Sequence, residues 1–253
     1  MSGTIHVMPS LQAFREAAAK AIVQELRASV EARGTASLVL SGGSTPEAIY
    51  RMLAAEPLRF QIDWSHLHLF WSDERCVPPD HAESNFRMVR EALLRYVPIP
   101  QEHVHRIETE YEPETAARRY AETLRTVFSV KAPQIPQVDL VLLGLGEDGH
   151  TASLFPHTPI LNEHERLVSA VFVPTLQAYR ISLTLPVLNN ARCVMFLVAG
   201  ASKARILSEV IEAPEDKYPA QLVRPIKGRL QWIVDADAGA LLTQQKTHLP
   251  HSV

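Results

Sequence analysis

An open α/β fold, with a mainly parallel β-sheet flanked by helices, is predicted by three features of the chain. Short apolar runs such as Asp139–Leu143 and Cys193–Val198 carry no charge beyond the first residue and have the length of strands buried on both faces. Segments with apolar residues at helical spacing lie between such runs, Leu11–Ala32 and Pro113–Phe128 being the longest. Turns rich in glycine and hydroxyl residues carry several of the runs into the next helix, so strand and helix alternate through most of the length.

In chain order, Ile5–Met8 reads as a first strand. Ser10 is suited to cap the helix Leu11–Ala32, whose inward face carries Phe14, Ala18, Ile22, Leu26 and Val30, and Gly34 ends it. Ser37–Leu40 is the next strand. Thr45 suits the cap and Pro46 the first turn of a helix that continues over Glu47–Leu53. Leu67–Trp71 is a strand with Ser72–Arg75 leaving its end. Phe86–Leu94 reads as helix, stopped before Pro98 and Pro100. His103–Ile107 is a short extended piece, and Ala132–Gln137 is a proline-containing linker that follows the helix Pro113–Phe128 and feeds the strand at Asp139–Leu143.

Beyond Pro156 the chain is loose to His164. Leu167–Val173 is a strand, and Arg180–Leu185 fits either a strand or a helix start. Cys193–Val198 is a buried strand, Gly200–Ser202 a turn and Lys203–Ile211 a helix. Gln231–Val234 is a last strand, Asp235–Leu242 a last helix, and Gln244–Val253 a polar, frayed tail. The expected architecture is therefore doubly wound and Rossmann-like. Residues 1–253 read as a single α/β domain, with a small excursion at about 76–113.

A chain of 253 residues can bury a large core. Its formal net charge of −3 and its lack of a long basic run argue against a nucleic-acid or membrane surface as partner. No signal segment opens the chain, and its apolar runs are far too short to span a bilayer. Two cysteines, Cys76 and Cys193, suit reduced thiols, so a cytoplasmic setting is expected. The oligomeric state is left open.

Four segments that follow apolar runs carry the candidate chemistry. Ser41-Gly42-Gly43-Ser44-Thr45 is a strand–turn–helix start that suits a phosphate. Asp73–Arg75, Glu147–His150 and Gly200–Lys203 are the others, and in a parallel sheet these strand exits lie on one rim. The combined set of hydroxyls, glycines, acids, Arg75, Lys203 and one histidine fits a phosphorylated small molecule. His150 suits a general base near neutral pH, with Asp148 placed two residues away to orient its ring.

Other chemistries are disfavoured. The GxGxxG match at Gly144, Gly146 and Gly149 would set Glu147 and Asp148 against a pyrophosphate, and no earlier βαβ unit makes it a first βα turn. Asp73, Asp148 and His150 make only a weak mixed metal site, since no HExxH or cysteine pair supports it. A lowered thiol pKa at Cys76, beside Arg75, is conceivable but secondary. No GxSxG elbow is present, so a hydrolase here is expected to activate water directly.

LSGGSTP at 40–46, WSDER at 71–75, HAESNFRM at 81–88, GLGEDGHTASLFP at 144–156, RISLTLPVLNNA at 180–191 and VAGASKA at 198–204 follow one another in order. By these motifs the chain resembles the 6-phosphogluconolactonases of the pentose phosphate pathway and, more distantly, the glucosamine-6-phosphate deaminases. The resemblance implies that His150 takes a proton from water that attacks C1 of 6-phospho-D-glucono-1,5-lactone, with Asp148 as its orienting or electrostatic partner. It also implies phosphate contacts from Ser41–Thr45, Arg180 and Lys203, and a place for Arg75 at either the phosphate or the oxyanion.

Asp73 is implied to be a structural or substrate-orienting carboxylate. Backbone N–H groups of the Gly144–Gly149 loop are candidate oxyanion donors, and Asn85 is expected to hold the Asp73 segment. No metal or organic cofactor is implied. TASLFP at 151–156 lacks the terminal acid of the deaminase pattern, which favours the lactonase over a deaminase or a non-catalytic sugar-phosphate sensor. His157 stands where the lactonase pattern often has glycine.

Overall fold

The computed structural model describes residues 3–214 and 216–243. Seven parallel strands form the main sheet: β1 (Thr4–Met8), β2 (Ala36–Leu40), β3 (Leu67–Trp71), β5 (Val104–His105), β6 (Leu140–Leu143), β9 (Cys193–Val198) and β10 (Arg229–Asp235). Their order is β1-β10-β9-β6-β2-β3-β5. From β2 the chain works outward through β3 to β5, whereas from β6 it works the other way through β9 and β10. The switch point therefore lies between β2 and β6, where open sheets leave a crevice beyond the carboxyl ends of their strands. β2, β6 and β9 are buried at every position, which is why their sequences are uninterrupted apolar runs.

Helix α1 (Leu11–Arg33) is bounded by its own end signals. Ser10 Oγ accepts from Ala13 N–H, and Gly34, at φ 79°, closes the other end by donating to Val30 O. It buries Phe14, Ala18, Ile22 and Leu26 and packs on α2 (Ser44–Leu53), β2 and β10. Helix α3 (Asn85–Val89) continues as a π-helical turn over Arg90–Leu94. Helix α4 (Pro113–Val127) packs on a second sheet of three strands, in the order β4 (Asp73–Arg75), β8 (Ala178–Leu183), β7 (Val168–Val173), with both pairings antiparallel.

That second sheet corrects two expectations. Asp73–Arg75 is a strand rather than a free strand exit, because Ser72 bridges the sheets: its N–H donates to Leu40 O at 2.8 Å while its carbonyl accepts from Leu183 N–H at 2.8 Å. The segment at 180–185 is both of its alternatives in succession, the end of β8 and then the start of α5 (Leu185–Asn189), with Pro186 in the first turn.

Two helix boundaries also move. α2 begins at Ser44 with Gly43 at the cap position, so Thr45 is inside the helix rather than capping it. α6 (Ala204–Glu212) follows a 3-10 turn, Ala201–Lys203. No helix forms over Asp235–Leu242. β10 itself runs to Asp235, whose carboxylate captures Ala238 N–H at 2.8 Å, and turns follow around Gly239. The expected tail at 244–253 lies outside the described residues.

Candidate active site

A cavity of about 660 Å³ opens at the switch point. Its walls come from the turns after β2, β6 and β9 and from β4 and β8. Ser41, Gly42, Gly43, Ser44, Thr45, Asp73, Arg75, Asp148, His150, Arg180 and Lys203 all line it, so the structure brings the predicted residues to one place.

The turn after β2 is held from below. Tyr50, fully buried on α2, accepts from Ser41 N–H at 2.9 Å and donates to Ser41 O at 3.0 Å. No side chain caps α2 among the described residues, and Ser44 and Thr45 of its first turn line the cavity. Ser41 Oγ is buried without a partner among the described residues, a costly state that an anionic ligand oxygen at the turn would relieve. Gly42 has a steric reason to be glycine: a Cβ there would overlap Asn85 Oδ1 and lie 2.8 Å from Asn85 Nδ2. Asn85 in turn donates Nδ2–H to Asp73 O at 2.9 Å, the tethering role expected of it.

The turn after β6 builds an imidazole–carboxylate pair. His150 Nδ1 lies 2.5 Å from Asp148 Oδ1, which also accepts His150 N–H at 3.1 Å. Burial pushes the Asp148 carboxyl up, but hydrogen bonding and charge from His150 outweigh this and hold it below the ordinary carboxylate value. An ionised carboxylate only accepts, so Nδ1 carries the proton that lies between the two, and a proton taken up or released by the ring moves at Nε2. The ring stacks on Phe155, with centroids 4.1 Å apart, which fixes its plane. A Cβ on Gly146 would overlap His150 Nδ1 and sit 2.7 Å from Asp148 Oδ1, so glycine at 146 makes room for the pair.

The proposed oxyanion donors narrow. Gly146 N–H is taken by His150 O, Gly149 N–H by Gly146 O and Asp148 N–H by its own carboxylate, which leaves Gly144, Leu145 and Glu147 as the candidates.

The second sheet supplies the cationic wall. Arg75 and Arg180 are cross-strand partners on β4 and β8, and neither forms an ion pair with a carboxylate among the described residues. Arg75 instead donates to Glu83 O, and Arg180 to Tyr179 O at 3.2 Å. Burial, reinforced by the like charge of Arg75, pulls Arg180 below the usual arginine value, with Asp73 opposing. Two guanidiniums side by side, neither in an ion pair among the described residues, favour a ligand with more than one negative charge.

Asp73 is occupied structurally: Ser153 Oγ donates to Oδ2 at 2.6 Å and Ser72 Oγ to Oδ1 at 3.1 Å. Lys203 Nζ stands 3.9 Å from Glu147 Oε1, bridging the turns after β9 and β6. Cys76 runs opposite to the conceivable lowering, since burial pushes its thiol up to about 11.

Glu74 was not singled out from sequence. Its buried carboxylate accepts from Arg75, Asn85 and Phe86 N–H and from Ser84 Oγ, binding the start of α3 to β4. The signal was its place between Asp73 and Arg75, but nothing local distinguishes a solvated acid from a buried one.

The sequence matches the family model described as glucosamine-6-phosphate isomerases/6-phosphogluconolactonase over residues 9–232. A 6-phosphogluconolactonase of Synechocystis is 41% identical over 242 residues, 94% of this chain and 98% of that protein. The human 6-phosphogluconolactonase is 41% identical over 95% of this chain and 94% of its own. Among solved structures, the 6-phosphogluconolactonase from Trypanosoma cruzi superposes with a TM-score of 0.86 at 33% identity, covering 96% of this chain and 98% of that one.

Proposed function

The chain belongs to the glucosamine-6-phosphate isomerase/6-phosphogluconolactonase family, and from that premise we propose how its own residues carry the reaction. The activity is that of a 6-phosphogluconolactonase: hydrolysis of 6-phospho-D-gluconolactone to 6-phosphogluconate, in the pentose phosphate pathway. The observation that carries the mechanism is the His150–Asp148 pair, with Nδ1 committed to the carboxylate and Nε2 left to accept a proton.

Nε2 takes a proton from a water molecule as its oxygen bonds to C1 of the lactone. The carbonyl becomes a tetrahedral oxyanion, met by backbone N–H groups remaining in the Gly144–Glu147 turn and by Arg75. Collapse re-forms the carbonyl and breaks the bond from C1 to the ring oxygen. The imidazolium returns its proton to that oxygen, and the new carboxylic acid ionises. Asp148 remains ionised throughout and stabilises the imidazolium. A δ-lactone is an activated ester, so one base and one water suffice without a covalent intermediate.

The Ser41–Thr45 turn, Arg180 and Lys203 hold the phosphate, converting remote binding into alignment of C1 with the attacking water. Cys76 and Cys193 are free thiols, which supports a cytoplasmic setting as part of the proposal. The test is acid release from freshly made lactone above the spontaneous rate, with ammonia release from glucosamine 6-phosphate measured alongside. Acceleration of the first alone is expected; turnover of the amino sugar without the lactone would reverse the reading.

A further inference from the structure

We infer that Asp235, at the end of β10 and outside the cavity lining, is a positioning residue that holds the turn after β9 and so places Lys203 against the substrate phosphate. Asp235 is 2% exposed. Gly200 N–H points between its two carboxylate oxygens, at 3.0 Å from Oδ1 and 3.1 Å from Oδ2, and Ala238 N–H reaches Oδ1 at 2.8 Å. No cation pairs with it among the described residues, so backbone amides do the work of a counter-charge.

Gly200 has φ 97° and opens the 3-10 turn Ala201–Lys203, which Lys203 N–H closes on Gly200 O at 3.0 Å. The turn is only three residues long and no side chain caps it. It is anchored at Gly200 at one end and runs into the buried face of α6 at the other, with Lys203 at the junction. Glu147 draws the ammonium towards the turn after β6, but at 3.9 Å and with Glu147 mostly exposed this contact is too weak to fix the backbone. The buried carboxylate on the neighbouring strand supplies that fixing. The role rests on Lys203 lying at the phosphate, and the experiment separates the two.

Asp235→Ala and Asp235→Asn are made in the full chain and assayed with the phosphorylated lactone and with unphosphorylated glucono-1,5-lactone. Asn keeps an acceptor for Ala238 but sets an NH2 group beside Gly200 N–H, so it weakens the hold less than Ala does. For Asp235→Ala the KM for the phosphorylated lactone is expected to rise about 10-fold, the loss of a charge-assisted hydrogen bond. Asp235→Asn falls between it and the parent. In both, kcat and the KM for the unphosphorylated lactone stay within about twofold, and Gly200 amide exchange accelerates.

Equal losses on both lactones would mean a general structural role and overturn the inference. So would an unchanged KM in a variant whose Gly200 amide exchanges freely. Should the alanine variant not accumulate, Asp235→Asn carries the same comparison. Lys203→Met tests the phosphate reading by itself. If it raises the KM, adding Asp235→Asn should cost little more; if it does not, the phosphate role of Lys203 falls, and with it this inference, whatever the amide exchange shows.

Discussion

Replacing His150 with Ala and Asp148 with Asn tests the centre of the mechanism, and the two changes have different expected sizes. His150→Ala removes the only group in the cavity assigned to take a proton from water. General-base contributions lie at about 10²–10⁴ in rate, so kcat should fall about 1000-fold, leaving what alignment and the oxyanion donors supply. Asp148→Asn leaves a carboxamide oxygen near Nδ1 but removes the charge. A hydrogen bond to a charged group contributes about 1.5–3 kcal/mol, and the half-exposed setting of Asp148 keeps it at the lower part of that range. The expected loss in kcat is therefore about 10- to 40-fold.

KM should change by no more than about threefold in either variant, because neither residue is assigned to the phosphate. The double variant should be no slower than His150→Ala alone, since Asp148 acts through the imidazole. Initial rates of acid release, corrected for spontaneous hydrolysis, give these numbers directly. A His150→Ala protein that keeps more than about a tenth of the parent kcat would refute the assignment, as would an Asp148→Asn loss larger than that of His150→Ala.

Gly146→Ala should lower kcat by at least about 10-fold while the thermal midpoint stays within a few degrees, because its Cβ displaces the pair at an exposed loop rather than the core; steady-state rates beside a melting curve check this. His157→Gly should stabilise the fold by about 0.5–1 kcal/mol, since His157 sits at φ 63°, where a Cβ is strained; a fall in the thermal midpoint would contradict it. A third outcome concerns acid stability. His105 lies 3.0 Å from His68 through a ring-to-ring hydrogen bond, and burial, with His68 and His103 nearby, pushes it down to about 4. The unfolded chain binds this proton from about pH 6.5, so stability is full above that value and is lost as pH falls towards 4. Denaturant midpoints should decline over that window and decline less steeply in His105→Gln.

Much of the fold was legible because its signals are local. The uninterrupted apolar runs of β2, β6 and β9 follow from burial on both faces, and the ends of α1 were marked by Ser10 and Gly34, whose hydrogen bonds reach only three or four residues away. His150 and Asp148 were legible for the same reason: two residues apart at a strand exit, they meet through the turn's own geometry. The Ser41–Thr45 turn was equally visible, although the point where α2 begins was not, because Gly43 rather than a hydroxyl side chain occupies the cap.

What local pattern does not encode is pairing between distant strands and the fate of a buried charge. A three-residue strand such as β4 has no periodicity to read, and only its register with β8 sets Arg75 opposite Arg180. The motifs could name both arginines as candidates, but the shared wall arises from Ser72 joining two sheets through residues more than a hundred positions apart. Glu74 and Asp235 look like ordinary surface acids in the sequence and become buried acceptors for backbone N–H groups only when their neighbours close around them. The sequence by itself thus determined the strands of the main sheet, the turns and the His150–Asp148 pair, whose causes lie within a few residues. The tertiary structure decided which charges face the ligand and which hold the walls, because burial and long-range hydrogen bonding, rather than residue type, separate a carboxylate that acts from one that supports.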